Sequence, residues 1–244
     1  LEAHQRLWER HGLQGLQLLD REAVRRQVAS ERYLGALLDP SGGHVHPLRL
    51  AQGEALAFEH AGGRIHEQSQ VTRIERGARV RVHTAQGMVE ADQVLLAGNA
   101  YLGDLEPRLA ARSMPCGTQM VATEPLGARA KELLPGDHCV EDCNYLLDYF
   151  RLSADARLLF GGGVVYGARD PARVEAVIRP KLERVFPQLR GVGIDYGWTG
   201  NFLLTLSRLP QVGRLAPNIL YSQGCSGHGV TYSHLAGRLL AECA

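Results

Sequence analysis

The chain has 244 residues, of which 45% are hydrophobic and 22% are charged, and its formal net charge at pH 7 is +1. This length allows one large domain or two smaller ones with a sizeable core. The near-neutral charge gives no indication of a nucleic acid or an acidic membrane as partner. No apolar run of roughly 18 residues predicts a membrane span, and no signal peptide is recognised at the N-terminus.

The five cysteines are scattered along the chain, and their number is odd. Such a set argues against a disulfide framework and predicts a reducing compartment, which we take to be the cytoplasm. Two groups could suggest metal binding: Cys139 and Cys143 beside His138, and the pair His44 and His46. Neither group has further ligands at the spacing that zinc sites require, so we predict no metal.

The first part of the chain is predicted to be helical around one loop. Residues 1–28 have a helical pattern with one glycine-containing break, and Asp20 is a plausible N-cap for the second helix. Residues 39–47 are rich in turn-forming residues and predict a loop. Pro47 suits the first position of a helix, which we expect to end at Gly62–Gly63.

A stretch rich in β-structure follows. Alternating apolar and polar residues predict short strands at 64–67, 70–75 and 79–84. Residues 94–98 are continuously apolar, as in a strand that is buried on both faces.

The middle of the chain has a different pattern. Strands of a mostly antiparallel sheet are predicted at 114–123, 145–153, 157–161 and 194–198. Between the last two strands, Asp170–Pro171 is expected to cap a helix, which Pro180 would kink or break.

The C-terminal segment is predicted to be a strand at 218–222, a glycine-rich turn, and a helix from about Val230 to Ala241. The fold class is therefore α/β (α+β). We divide the chain into connecting helices and a loop at 1–47, an α/β domain formed by 48–98 and 208–244, and a sheet-based domain at 99–207.

The turn Gly224–Gly229 is a candidate binding site. Its glycines allow a close approach of the backbone to a ligand, and the helix that follows offers free N–H groups and the positive end of its dipole. Such a corner stabilises an anion. The spacing G-x-x-G-x-G is not the dinucleotide-binding G-x-G-x-x-G, and a plain structural turn remains the alternative.

Several segments together resemble one known family. The ordered set consists of Leu209-Pro-Gln-Val-Gly213, Asn218-Ile-Leu-Tyr221, Gly224-Cys-Ser-Gly-His-Gly-Val230 and Ala236-Gly-Arg-Leu-Leu-Ala241. With Gly42-Gly-His-Val-His-Pro47, Ala91-Asp-Gln-Val-Leu-Leu-Ala-Gly98 and Tyr149-Phe-Arg-Leu-Ser153, it is similar to FAD-dependent D-amino-acid-oxidase/glycine-oxidase-like enzymes. Cys225–Tyr232 and Tyr149–Ser153 resemble the gamma-glutamylputrescine oxidoreductases most.

The resemblance implies a fold and a cofactor. The chain would comprise the C-terminal part of an FAD/NAD(P)-binding Rossmann-like domain and a mostly antiparallel-sheet substrate domain. The chain has no G-x-G-x-x-G motif and does not begin with Met, so we expect it to be part of a longer enzyme. By itself, this part could be catalytically inert. Gly200 stands where sarcosine oxidases have a flavin-linking Cys, which implies non-covalent FAD.

The resemblance also implies the residues that contact the cofactor. Backbone N–H groups in the C-terminal turn would face the flavin, where reduction builds up negative charge. Val71 would contact the adenine of FAD; the alternative interpretation is that Val71 is an ordinary core residue of a strand. The full set of expected cofactor-binding residues is Val71, Ala97, Gly98, Gly224, Ser226, Gly227, His228, Gly229 and Val230.

Our candidates for the substrate site are Tyr149, Arg151 and Trp198. Arg151 could hold a carboxylate bidentately, and packing or a surface ion pair is the alternative for each residue. The resemblance implies a small-molecule amine as substrate and oxygen or another electron acceptor, with oxidation of gamma-glutamylputrescine to an aldehyde, release of ammonia, and hydrogen peroxide as by-product. Oxidation of a D-amino acid, glycine or an N-methyl amino acid stays open, although Thr231, where sarcosine oxidases have a Lys, argues weakly against it. An oligomer is possible.

Overall fold

The computed structural model describes residues 1–244 and is a mixture of helices and strands, as predicted. The helices are α1 (Glu2–Arg10), α2 (Arg21–Gln27), α3 (Pro47–His60), α4 (Pro107–Ala110), α5 (Ala128–Leu133), α6 (Val174–Val185) and α7 (Gly229–Cys243). The strands are β1 (Gln17–Leu19), β2 (Ala36–Leu38), β3 (Val71–Glu75), β4 (Val80–Thr84), β5 (Met88–Ala91), β6 (Val94–Leu96), β7 (Ser113–Thr123), β8 (Val140–Glu141), β9 (Asp148–Leu152), β10 (Leu158–Tyr166), β11 (Ile194–Thr205), β12 (Gln211–Ala216) and β13 (Ile219–Gln223).

The chain forms two compact units. The first comprises Leu1–Val45, Thr118–Val164 and Asp170–Thr199, and the second comprises His46–Gly117, Val165–Arg169 and Gly200–Ala244. The chain passes from one unit to the other near residues 45, 117 and 199, whereas we predicted domain boundaries from the sequence after residues 47, 98 and 207. The assignment of a cofactor domain and a substrate domain stays a prediction.

The first unit contains most of a five-stranded sheet in the order β11-β7-β10-β9-β8, in which β9 pairs antiparallel with both β8 and β10. One face of this sheet is packed against α6, whose Ile178, Leu182 and Val185 are fully buried at helical spacing. Phe150 on β9 stacks on Phe160 and meets Phe186 edge-on, with ring centroids 5.6 and 5.0 Å apart. Burial of these aromatic rings fixes the sheet and thereby orients the side chains on its other face.

The second unit contains two three-stranded sheets. In one sheet the order is β12-β13-β6, with β13 parallel to β6 and antiparallel to β12. The other sheet, β3-β4-β5, is antiparallel throughout. A small core of Val80, Leu96, Leu109 and Ile219 lies in this unit.

Local sequence signals are confirmed where the chain itself provides the hydrogen-bond partner. The Asp20 side chain accepts from the Ala23 amide at 2.8 Å and caps α2. Pro47 occupies the start of α3, where its missing N–H costs nothing.

Four local predictions were wrong. Part of the expected N-terminal helix is strand β1, because residues 17–19 pair antiparallel with 36–38. Residues 64–67 form no strand. Helix α6 begins only at Val174, after Arg173, which makes no side-chain capping hydrogen bond, so Asp170–Pro171 does not cap it. Pro180 lies inside this helix and does not break it, and the kink that was the other expectation stays a prediction. Strand β6 is not buried on both faces, because alternation directs Leu96 into the core and leaves Leu95 46% exposed.

Candidate functional site

Two groups of candidate residues lie in different units. We call residues 97–99 together with 224–230 the glycine corner, which belongs to the second unit. We call the side of the five-stranded sheet that faces away from α6 the open sheet face, and it belongs to the first unit.

The glycine corner forms where two parallel strands end. Strands β6 and β13 are adjacent and parallel, so their carboxyl ends meet, which is where open α/β sheets bind ligands. Asn99 follows β6 and joins the two ends, since its Oδ1 accepts from the Gly224 amide at 3.0 Å. Its Nδ2 lies 3.6 Å from the Sγ atom of Cys225.

The turn depends on its glycines. Gly224 has a φ of +69° and Gly227 a φ of +102°, a region that other residues rarely adopt. A Cβ atom on Gly224 would also overlap Cγ2 of Thr205. Ser226, with a φ of +51°, is held by its amide, which donates to Leu203 O at 3.0 Å, and by its Oγ, which donates to Gly224 O at 3.1 Å.

Several N–H groups of the glycine corner have no acceptor within the chain. The His228 amide donates to Cys225 O at 3.0 Å and the Tyr232 amide to His228 O at 3.0 Å. The amides of Gly227, Gly229 and Val230 find no such partner, since they lie in the turn or in the first turn of the 15-residue helix α7. Free donors and the positive end of the helix dipole therefore coincide, and together they can stabilise a negatively charged or electron-rich ligand.

The other predicted cofactor residues are only partly gathered there. Ala97 and Gly98 follow β6 and precede Asn99, and a Cβ on Gly98 would lie 3.2 Å from the Leu102 backbone, so this glycine allows close packing. The His228 side chain is exposed. Val71 is the first residue of β3, in the separate antiparallel sheet, and its predicted contact with the adenine stays a prediction.

Two of the predicted substrate residues lie together on the open sheet face. On β9, Asp148, Phe150 and Leu152 are buried toward the core, so alternation places Tyr149 and Arg151 on the opposite face. The Tyr149 ring lies over Gly161, because a Cβ there would overlap both the ring and Met120 Sδ.

The Tyr149 hydroxyl is held in place. It lies 2.6 Å from Oγ1 of Thr118 on β7. Burial raises the pKa of Tyr149 above its ordinary value near 10, while the hydrogen bond with Thr118 acts in the opposite direction. The side chain is therefore a neutral phenol at physiological pH, able to donate or accept one hydrogen bond.

Arg151 is half-buried and has no carboxylate partner. Its Nη1 donates to Leu152 O at 3.1 Å and lies 3.3 Å from Nδ1 of His44. The Nε–H and Nη2–H groups have no acceptor within the chain. These groups form one edge of the guanidinium, and their geometry matches a carboxylate.

Trp198 shares the open sheet face with Tyr149. A Cβ on the preceding Gly197 would contact Val174 of α6 and Val121, so Gly197 points to the α6 side of the sheet and Trp198 to the other side. The indole is 43% exposed. Strand β11 lies at the edge of the sheet beside β7, which also bears Thr118.

The histidines and cysteines considered as metal ligands form no metal site. His46 caps α3, since its Nδ1 lies 3.4 Å from the Arg49 amide. Cys139 and Cys143 are exposed thiols. No group of three or more His, Cys, Asp or Glu side chains is placed to hold a metal ion. None of the helices is long and apolar enough to cross a membrane.

The structure adds two site residues that the sequence did not indicate. Asn99 joins the strand ends of the glycine corner, and Thr118 bonds Tyr149. Asn99 follows the recognised segment that ends at Gly98, and its φ of +44° favours the small polar side chain of Asn, so its position offered a weak signal. Nothing in the local sequence distinguished Thr118.

Comparisons with known proteins agree on one family. A model of the family "FAD dependent oxidoreductase" matches residues 1–243. The chain is 64% identical over 244 residues to a gamma-glutamylputrescine oxidoreductase of Escherichia coli, covering 99% of this chain and 57% of that protein. It is 40% identical to a probable oxidoreductase, OrdL, of Haemophilus influenzae, covering 95% of this chain and 54% of that protein. The chain therefore spans about half the length of the curated relatives it matches.

Solved structures share the fold. A glycine oxidase of Geobacillus kaustophilus superposes with a TM-score of 0.86 at 22% identity, covering 99% of this chain and 66% of that one. An L-proline dehydrogenase of P. horikoshii superposes with a TM-score of 0.77 at 19% identity, covering 91% of this chain and 62% of that one.

Proposed function

Because the chain belongs to the family of FAD-dependent oxidoreductases, we propose that it acts, as part of such an enzyme, in the oxidation of a primary amine, gamma-glutamylputrescine, to an aldehyde. Oxidation of the amine gives an imine, which water hydrolyses to the aldehyde and ammonia, and hydrogen peroxide forms where oxygen is the electron acceptor. The identity of 64% to a protein named for that substrate supports the choice of amine. We place this function in putrescine catabolism in the cytoplasm.

The glycine corner fits the expected cofactor. A reduced flavin accumulates negative charge along one edge of its ring, and fixed N–H donors stabilise that charge without reorganisation. The amides of Gly227, Gly229 and Val230 are such donors, because they have no acceptor within the chain and precede or begin helix α7. A Cβ on Gly227 would meet nothing within 4 Å, so open space adjoins the backbone of this residue. We propose that this corner holds FAD non-covalently.

The open sheet face supports the choice of substrate class. The observation that supports it most is the free Nε–Nη2 edge of Arg151, a half-buried cation without a carboxylate partner. The glutamyl end of gamma-glutamylputrescine bears a carboxylate, which can bind that edge bidentately. Tyr149 and Trp198 share this face and supply aromatic walls for the aliphatic part of the substrate.

The chemistry divides between cofactor and protein. Bound FAD would supply the oxidant that accepts a hydride equivalent from the carbon bearing the amine. Arg151 would bind and orient the substrate, and the neutral Tyr149 hydroxyl would donate or accept a hydrogen bond without adding charge. No acid–base triad is required, because the protein acts by positioning the substrate.

The test uses substrates that separate the candidate functions. We expect the FAD-bound protein to produce ammonia and aldehyde from gamma-glutamylputrescine, with lower kcat/KM for putrescine, which lacks the carboxylate, and little turnover of glycine, sarcosine or D-alanine. Arg151→Met should raise KM for gamma-glutamylputrescine by about tenfold to a hundredfold, as expected for a charged hydrogen-bonded pair.

Arg190→Met is the matched control, because Arg190 is exposed and distant from β9 in sequence. Preferred turnover of glycine or sarcosine would replace the amine proposal with amino-acid oxidation. Absence of flavin absorbance and of all turnover would show that this chain is inert by itself.

A further inference from the structure

His44 contacts the cation on which substrate binding depends. It lies in the loop that precedes α3, 107 residues before Arg151 in the sequence, yet its Nδ1 is 3.3 Å from the Arg151 Nη1. Both residues belong to the first unit. The contact uses Nη1, the nitrogen that does not belong to the free Nε–Nη2 edge.

The hydrogen-bond partners of His44 are compatible with one tautomer. Nε2 lies 3.0 Å from the backbone carbonyl oxygen of Asp137, which can only accept, so Nε2 must bear a hydrogen. A guanidinium can only donate, so Nδ1 must present its lone pair to Arg151. Both contacts are satisfied when the hydrogen is on Nε2 and the lone pair is on Nδ1.

The imidazole is held at both ends. The Cys139 thiol lies 3.7 Å from the carbonyl oxygen of Gly43, next to His44, and attaches this loop to the segment that contains Asp137. Asp137 itself ends a turn in which its amide donates to Leu134 O at 3.1 Å. The His44 side chain is 24% exposed, so water reaches it only in part.

We infer that His44 is a positioning residue for Arg151: its Nδ1 accepts a hydrogen bond from Nη1 and thereby directs the free Nε–Nη2 edge toward a substrate carboxylate. Leu152 O takes the other Nη1 hydrogen, so the two acceptors together fix the plane of the guanidinium. A preorganised guanidinium loses less freedom when it binds a carboxylate, and so binds it more tightly. The inference rests on the proposed role of Arg151.

The experiment measures binding rather than turnover. Calorimetry on the FAD-bound protein gives Kd for gamma-glutamylbutylamide, which has the glutamyl carboxylate but lacks the terminal amine that the proposed reaction oxidises, and for its analogue with a carboxamide in place of that carboxylate. His44→Leu removes the acceptor, His44→Gln replaces it with an amide that can accept and donate, and Arg151→Met removes the cation. His66→Leu is the matched control, because His66 is an exposed loop histidine.

We expect His44→Leu to weaken binding of the carboxylate ligand by about tenfold and to leave Kd for the carboxamide unchanged. His44→Gln should restore most of the affinity, and His66→Leu should change neither Kd. Two results would overturn the positioning role of His44 alone. In one, His44→Leu weakens binding of the carboxylate ligand and of the carboxamide ligand equally; in the other, it weakens neither, while Arg151→Met abolishes the difference in affinity between the two ligands. Unchanged discrimination in Arg151→Met would overturn the proposed role of Arg151 and this inference with it.

Discussion

The glycine corner should be intolerant of a single methyl group at Gly224. In Gly224→Ala the new Cβ would overlap Cγ2 of Thr205, a residue that is 3% exposed at the end of β11. The backbone φ of +69° is also unfavourable for alanine. The substitution therefore combines a conformational cost with a packing cost.

The two costs can be estimated separately. A left-handed backbone conformation costs alanine about 1–2 kcal/mol relative to glycine. Overpacking a buried site by one methyl group costs about 1–3 kcal/mol. We therefore expect these two costs together to lower the free energy of unfolding of Gly224→Ala by about 2–5 kcal/mol. Alanine also restricts the unfolded chain, which offsets about 0.4–1 kcal/mol of this loss.

A double-mutant cycle isolates the packing cost. Thr205→Ser deletes the offending methyl group and keeps the hydroxyl, which donates to Leu209 O at 2.8 Å. Combined with Gly224→Ala, it should recover about 1–3 kcal/mol, measured by urea unfolding of the FAD-bound protein. Combined with Gly227→Ala, it should recover nothing, because a Cβ at Gly227 meets no atom within 4 Å.

The outcome that would refute this reasoning is a coupling energy near zero between Gly224→Ala and Thr205→Ser. In that case the turn would relax without pressing on Thr205, and backbone conformation alone would explain the need for glycine. Loss of flavin absorbance in Gly224→Ala but not in Thr205→Ser would further link the shape of the corner to cofactor binding.

Two predictions concern pH. The Tyr33 hydroxyl is buried without a hydrogen-bond partner, and burial raises its pKa, followed in size by the effect of Asp142. Tyr33→Phe should therefore raise the free energy of unfolding by about 1 kcal/mol at neutral pH. Because the pKa of Tyr33 is higher in the folded state than in the unfolded state, the unfolded chain loses this proton first, and the parent protein loses stability as pH rises above about 10. The Tyr33→Phe variant lacks this proton and should lose less stability at alkaline pH. An identical decrease of stability with alkaline pH in both proteins would contradict this prediction. Hydrogen bonding to the Val230 carbonyl, and secondly to Glu54, raises the pKa of His234. The pKa of His234 measured by NMR should therefore lie above about 6.5 and should fall in Glu54→Gln. A measured pKa at or below that value in the parent protein would count against the two contacts.

Sequence reasoning succeeded where an element is specified by its own residues. The cap at Asp20, the start of α3 at Pro47 and the glycine-rich turn before α7 all depend on neighbours within a few positions. Sequence reasoning likewise predicted a strand at 145–153, which contains β9. It failed where pairing partners are distant, as in β1, whose partner strand begins at Ala36.

The chemistry of the candidate site follows the same division. The sequence could nominate Arg151 as a cation, but which edge of its guanidinium is free depends on His44 and on a backbone carbonyl, a contact made only in the folded chain. The turn residues could be recognised from their glycines, but Asn99 bonds Gly224 from 125 positions away. In both places a residue type read from the sequence becomes a directed hydrogen-bonding group only when a distant side chain fixes its orientation. We therefore expect substitutions at His44 and Asn99 to alter ligand affinity, although neither residue was among the site residues predicted from the sequence.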